Sequence, residues 1–324
     1  ATNCIIKYSL AQGKTNAAAQ TTAIGTTLGS YTVGTNPYAI AADYYGNIWI
    51  TNNGSNNVTK LSPNGTTIGT FSVENSPTGI VVDFSNNIWI VNQSSNTITK
   101  LSNNGTTLGT FSVGSSPYWI TIDFLGNIWV ANTGAGSVSK LSPSGNILAT
   151  YSVSSYPQGI TTDNDGNIWI AFYGNTITKL SPTGSTLGSY SLGNNPQGLA
   201  VDYSGNIWIA NYGSSSVMKL STTGTVLGTY SVGSNIYNIA CDNSGNIWCA
   251  VYGNNTIVEL SNSGTTLNTF STGFNKPYYI IIDFSGNIWI TNFGSNYISK
   301  LFTPLSGAKP SPLIWQRLQA KYGL

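Results

Sequence analysis

For proton transfer, metal binding and nucleophile activation this chain has ten acidic side chains, twelve basic ones and no histidine. Without His the commonest general base is gone, and with it the usual catalytic triads and most zinc sites. Seven of the acids are Asp43, Asp83, Asp123, Asp163, Asp202, Asp242 and Asp283, each six residues before a tryptophan: Trp49, Trp89, Trp129, Trp169, Trp208, Trp248 and Trp289. The remaining acids are Glu74, Asp165 and Glu259. Glu259 stands at a position held elsewhere by Lys60, Lys100, Lys140, Lys179, Lys219 and Lys300. Almost every charge therefore belongs to a repeat, whereas a catalytic centre shows as a departure from symmetry. Asp163-Asn-Asp-Gly166 resembles half of a calcium loop, but it has no distal Glu and sits on a turn that every copy contains. It reads as a turn. Asn52, Asn92, Asn132, Asn211 and Asn292 recur just after a strand and offer neutral oxygens, but no carboxylate converges with them. Their expected role is to satisfy loop backbone. No metal site and no cofactor is expected.

The elements that must position these residues follow from the spacing. The tryptophans are 40, 40, 40, 39, 40 and 41 residues apart, so one supersecondary unit is repeated seven times. In residues 38–73, Tyr38–Asp43 is a short apolar strand (A) and Tyr44–Asn47 a turn. Ile48–Asn52 is a buried strand (B), Asn57–Ser62 an alternating strand (C) and Thr66–Val73 a polar strand (D). Four short antiparallel strands with regular turn signals make a propeller blade. The predicted fold is all-β, a seven-bladed β-propeller of four-stranded antiparallel blades. The Trp fills the wedge between blades, and the Asp caps the A–B turn by accepting backbone N–H bonds. The seventh unit has A, B and C strands (278–283, 287–292, 296–302) but no D. Residues 26–33 supply a D strand ahead of the first unit. The amino end is therefore expected to close the ring and remove the open edge. This divides the chain into an extension (1–25), the propeller (26–302) and a tail (303–324).

The pattern Pro-x-Gly-Ile…Asp-x-x-Gly-Asn-Ile-Trp-Ile, as at Pro77–Ile90 or Pro196–Ile209, resembles the NHL-type and virginiamycin B lyase-like (streptogramin lyase-like) propellers over about residues 26–302. The resemblance implies the fold, because the shared residues are structural. Virginiamycin B lyases use His and Glu with Mg²⁺ to eliminate across an ester-type linkage, and none of those His residues is available here. Lactonase-like propellers hold a divalent metal with Glu, Asn and Asp.

Only 7% of residues are charged, so hydroxyls and amides keep the surface soluble; the net charge of +2 is too small for a nucleic-acid partner. No apolar run approaches a transmembrane span. The chain starts Ala1-Thr2-Asn3, which fits a removed leader and a secreted, extracellular or cell-surface location. Six sequons, at Asn53, Asn57, Asn64, Asn92, Asn104 and Asn254, agree with export, although an Asn/Ser/Thr-rich chain produces them by chance. Cys241 and Cys249 flank one hairpin turn, where a cross-strand disulfide and two buried thiols both fit. Cys4 is left over.

The departures from the repeat are where function is sought. Residues 3–9, with Cys4, Ile5, Ile6 and Tyr8, resemble a surplus strand C. Residues 313–322, with Leu313, Ile314, Trp315 and Leu318, read as a short amphipathic helix. Both fit either packing on their own ring or docking on a neighbouring subunit. The third departure is aromatic. Tyr173, Tyr212, Tyr252 and Phe293 follow strand B in units four to seven, and Tyr38, Tyr118, Trp119, Tyr156, Tyr237, Tyr278 and Tyr279 lie on the D–A side. These rings suit a glycan or another surface protein, or else bury one another over the channel mouth. The leading reading is a non-catalytic exported propeller. It acts as a structural, adhesive or self-assembling protein, in its furthest form a filament subunit. The alternatives are a glycan- or protein-binding propeller and a metal-dependent lyase or hydrolase.

Overall fold

The structure, a computed structural model, describes residues 23–303. They form seven four-stranded antiparallel sheets arranged as propeller blades. Blade one has strands A Pro37–Ala42, B Ile48–Asn52, C Asn57–Leu61 and D Thr67–Ser72, in that spatial order. Blades two to six span 77–112, 117–152, 157–191, 196–231 and 236–270. The strand limits fall within a residue or two of those read from the sequence, and Asp43 lies in the turn rather than in strand A.

Blade seven combines the two ends of the ring. Its A, B and C strands are Pro277–Ile282, Ile288–Asn292 and Tyr297–Leu301, and its D strand is Thr27–Thr32. Tyr31 pairs with Ile298 and Ser30 with Ser299. The C–D turn of this blade is split yet keeps its hydrogen bonds. Phe302 N–H donates to Thr26 O at 2.9 Å and Gly25 N–H to Phe302 O at 2.8 Å, just as Ser62 N–H donates to Thr66 O and Gly65 N–H to Ser62 O in blade one. Gly25 and Gly65 both have left-handed φ, +76° and +88°. A Cβ on either would come within 1.9 Å of an aromatic ring of the preceding blade, Phe270 or Tyr31. Glycine there lets adjacent outer strands close up.

Strands A and B are buried because each blade is covered on both faces by its neighbours, and all seven repeat tryptophans are 0% exposed. Strand D alternates between exposed and half-buried positions, since its outer edge faces solvent. Its half-buried face carries Tyr31, Phe71, Phe111, Tyr151, Tyr190, Tyr230 or Phe270, each 5.4–5.8 Å from the tryptophan of its own blade. Sequence reading missed this partner, although an aromatic two residues after the strand-D Gly, as in Gly69-Thr-Phe71, was there to find.

Candidate functional site

The repeated acids build the ring. In all seven blades the Trp Nε1–H donates to the Asp Oδ2 at 2.8–3.1 Å. Oδ1 accepts turn N–H groups, for example those of Tyr45 and Asn47 at Asp43. This is the expected Asx cap, with a buried indole added. The repeat lysine completes the unit. In blades one to five it pairs with the Asp at 3.1–3.7 Å. Its ammonium lies 4.8–5.1 Å from the Trp ring centroid in these blades and in blade seven. It also donates to a C–D turn carbonyl of the next blade, as Lys60 does to Asn103 and Lys300 to Pro63. Burial pushes the Asp202 carboxyl up, but hydrogen bonds from Asn206 and Trp208 and the Lys219 charge overcome it and hold the carboxyl below its ordinary value. In every blade the carboxylate is thus tied to the indole and the turn.

Glu259 is explained by the same geometry. It pairs across the sheet with Trp248, as Lys60 pairs with Trp49. A lysine here would reach for the C–D turn of blade seven, the one turn that is split between the chain ends. The glutamate instead stays within its own blade and accepts from Asn246 Nδ2 at 2.9 Å and Asn268 Nδ2 at 2.7 Å. Burial pushes its carboxyl up, and the charge of Asp242 adds to this.

The aromatic residues form the central feature. The second residue of each A strand is Tyr38, Thr78, Tyr118, Gln158, Gln197, Tyr237 or Tyr278, one from each blade around the axis. The hydroxyls of Tyr38, Tyr118 and Tyr278 meet in a triangle. Tyr38 bonds Tyr118, Tyr38 bonds Tyr278 at 2.5 Å, and Tyr118 bonds Tyr278 at 2.8 Å. Each phenol has one proton to donate and lone pairs to accept, so three can satisfy one another. Burial raises all three well away from ionisation at neutral pH. Trp119 and Tyr279 pack with ring centroids 5.0 Å apart, and burial pushes the Tyr279 phenol up to about 12. Phe293, Tyr237, Tyr252 and Tyr212 extend the same ring-to-ring network. Of the expected loop-face aromatics, these nine come together and largely bury one another, so they form a plug rather than an open binding rim.

Beside the plug, a cavity lined by Trp119, Gly159, Gln197, Gly198, Asn238 and Tyr279 holds about 30 Å³. A small-molecule pocket is typically about 300–1,000 Å³. Gly159 and Gly198 lie against the next A strand, where a Cβ would come within 1.9 Å of Gln197 O and 2.7 Å of Tyr237 O. The inner strands of blades four to six thus close up around the large Trp119 and Tyr279 side chains. Tyr173 stands apart from the network. It is 62% exposed and pairs with Tyr156, which is 57% exposed, at 6.4 Å.

Cys241 and Cys249 are buried free thiols. Cys249 lies opposite Ile239 and Cys241 opposite Ile247, so the hairpin register offsets the two by two residues. Burial raises both thiols above their ordinary range. Asn92 is 0% exposed and donates to Thr97 and Thr99, so in the folded protein it cannot serve as a glycosylation acceptor. Asn64, Asn104 and Asn254 are exposed, and Asn53 and Asn57 are half-buried. The recurrent asparagines mainly hold strand C rather than loop backbone: Asn52 donates to Asn57 and Thr59, and Asn132 to Ser137 and Ser139. Asn292 alone among the five also accepts a loop N–H, that of Asn275. Among the described residues no group of three or more Cys, Asp or Glu side chains could hold a metal. No helix there is long and apolar enough to cross a membrane. Cys4, Ile5, Ile6, Tyr8, Leu313, Ile314, Trp315 and Leu318 lie outside the described residues.

Fold and centre together define a closed seven-bladed propeller with a plugged channel. Residues 28–301 match the virginiamycin B lyase family, and the chain belongs to that family. A streptogramin B lyase structure superposes with a TM-score of 0.78 at 23% identity, covering 85% of this chain and 96% of that one. Virginiamycin B lyase from Staphylococcus aureus gives 0.78 at 18% identity, covering 85% and 99%. A catalytically inactive His-to-Ala variant of that enzyme with quinupristin gives 0.76 at 19% identity, covering 83% and 96%. Identities this low establish the shared fold. No curated protein matches the chain.

Proposed function

We propose that this chain is a non-catalytic, exported propeller that works as a structural, self-associating surface module. The observation that carries the reading is the closed channel, where the Tyr38–Tyr118–Tyr278 triangle and the Trp119–Tyr279 pair fill the axis. The chemistry of the side chains supports it. A His-to-Ala change accompanies inactivity in the staphylococcal enzyme, and this chain has no His at all. Assembly is the second part of the reading. The two described ends of the ring meet at one seam, where Gly25 N–H donates to Phe302 O. In this reading residues 1–22 and 304–324 dock on a neighbouring ring, the sequence 3–9 that resembles strand C against an outer strand D edge.

Native mass and electron microscopy of the full chain test this. Oligomers or filaments are expected, with monomeric, folded rings after deletion of residues 1–22. A full chain that is monomeric at all concentrations, or a truncated one that assembles equally well, overturns the assembly reading. Turnover of quinupristin in the presence of Mg²⁺ overturns the non-catalytic reading.

A further inference from the structure

Blade four departs from the repeat at one corner of the loop face, and the departures converge on two exposed tyrosines. Its B–C loop has three residues, between Phe172 and Thr176, where blade three has four, between Asn132 and Ser137. The buried Asn that ends strand B in blade three is replaced by Phe172, which is 2% exposed. Tyr173 then projects from the shortened loop, 62% exposed. Across from it, Tyr156 sits at the left-handed position of the D–A loop with φ +58°. The equivalent residues are Asn36, Ser76, Ser116, Asn195, Asn235 and Lys276. A bulky aromatic gains nothing from that backbone conformation, which small polar residues tolerate far better. It also gains little burial, being 57% exposed. The two rings are 6.4 Å apart at 72°, forming an open angle. Beside them Gly174 has φ +126° and would carry a Cβ into empty space.

We propose that Tyr156 and Tyr173 form a binding platform for a neutral hexopyranose glycan. The site is independent of the assembly reading and separate from the central plug. The loops that build it, 153–157, 172–176 and 192–196, contain no charged residue and supply Asn175, Asn194 and Asn195. The C–H face of a pyranose carries slight positive charge and seats on the electron-rich face of a tyrosine. Its hydroxyls need donors and acceptors; Asn195 Oδ1 already accepts from Gln197 and Asn175 Nδ2 already donates to Gly193 O and Gly174 O, which leaves the Asn195 amide as donor and the Asn175 oxygen as acceptor. A charged ligand would find no counter-charge here, and a purely apolar one would cover amides without pairing them. Because the rings project instead of lining a pocket, the site fits internal residues of an extended chain.

The test uses the full chain. Its migration is followed in gels containing soluble neutral polysaccharides, and binding of β-1,4-glucan, α-1,4-glucan and chitin hexaoses is measured by calorimetry. Retardation by at least one polymer is expected. Tyr173→Ala and Tyr156→Asn should each weaken binding about tenfold, the value of losing one ring contact. Tyr45→Ala, at a 70% exposed tyrosine in an A–B turn, should leave binding unchanged. Tyr156→Asn should also raise the thermal midpoint, because Asn holds that position in blades one, five and six. Failure of every polymer and hexaose to bind overturns the proposal. So does a Tyr156→Asn/Tyr173→Ala double variant that binds as well as the parent. A Tyr156→Asn variant that lowers the midpoint and leaves binding intact overturns it too, since Tyr156 would then serve the fold alone.

Discussion

Lys300 donates to the main-chain carbonyl of Pro63 at 2.8 Å, across 237 positions of sequence. It is the same strap by which Lys60 reaches Asn103, but here it joins the last blade to the first and closes the ring electrostatically as well as through strand pairing. Burial lowers the Lys300 pKa, partly offset by Asp283, so the ammonium relies on these few partners. Lys300→Met keeps the aliphatic stem and removes the charge. It should destabilise the ring by about 1–3 kcal/mol, the cost of losing a charge-assisted hydrogen bond and leaving the buried Asp283 without its lysine. Urea unfolding midpoints check this, and a change within error of zero would show that strand pairing alone closes the ring.

The Asp–Trp unit should be equally sensitive inside a blade. Asp123 accepts from Leu125 N–H, Asn127 N–H and Trp129 Nε1–H, and pairs with Lys140 at 3.7 Å. Asp123→Asn turns an amide donor toward the indole donor and strands the lysine. A loss of about 2–4 kcal/mol is expected in denaturant titration.

Glu259 and Asp202 respond to pH in opposite directions. Burial, with help from Asp242, raises the Glu259 carboxyl, so the folded state binds this proton more tightly than the unfolded chain. Its contribution to stability is full below the unfolded value of about 4.3 and is lost as pH rises through the folded value. Asp202 is held low, so its contribution is present above about 3.9 and is lost as pH falls through the folded value. Glu259→Gln should therefore gain on the parent protein as pH rises above the unfolded glutamate value of about 4.3. Midpoints of the two proteins that stay parallel as pH rises from there would contradict the assignment.

Closure by the amino-terminal strand gives a sharp truncation boundary. Removing residues 1–22 spares Thr27–Thr32, whereas removing 1–33 takes away the packing of Tyr31 against Trp289 and bares the edge of Tyr297–Leu301. The shorter deletion should melt as a cooperative unit. The longer one should aggregate, because an unpaired strand over an apolar core is a template for association. Light scattering during thermal unfolding separates the two.

Most of the architecture was legible in the chain because it is written seven times. One Asp–Trp interval, one Gly-Asn turn and one alternating strand recur, so blade number, strand order and the displaced D strand followed from counting. The cap role of Asp43 was legible too, since Asx chemistry is local. The candidate site was legible only as an inventory. The tyrosines stood out by type, but Tyr38, Tyr118 and Tyr278 are 80 and 160 residues apart along the chain. Nothing in their spacing says that three hydroxyls meet.

Local pattern thus determined the blade, because strand period, turn chemistry and side-chain size act over a few residues. Only the closed ring decided which rings are buried and which are exposed. Tyr278 and Tyr173 are the same residue type near the same end of their blades, yet one is 4% and the other 62% exposed. The first begins an inner strand, where seven blades converge on the axis and rings must bury one another. The second lies beyond the end of strand B, where the blades have diverged and the nearest aromatic neighbour is another exposed tyrosine. Glu259 carries the same lesson, since its departure from Lys makes sense only once the split turn of the next blade is seen beside it.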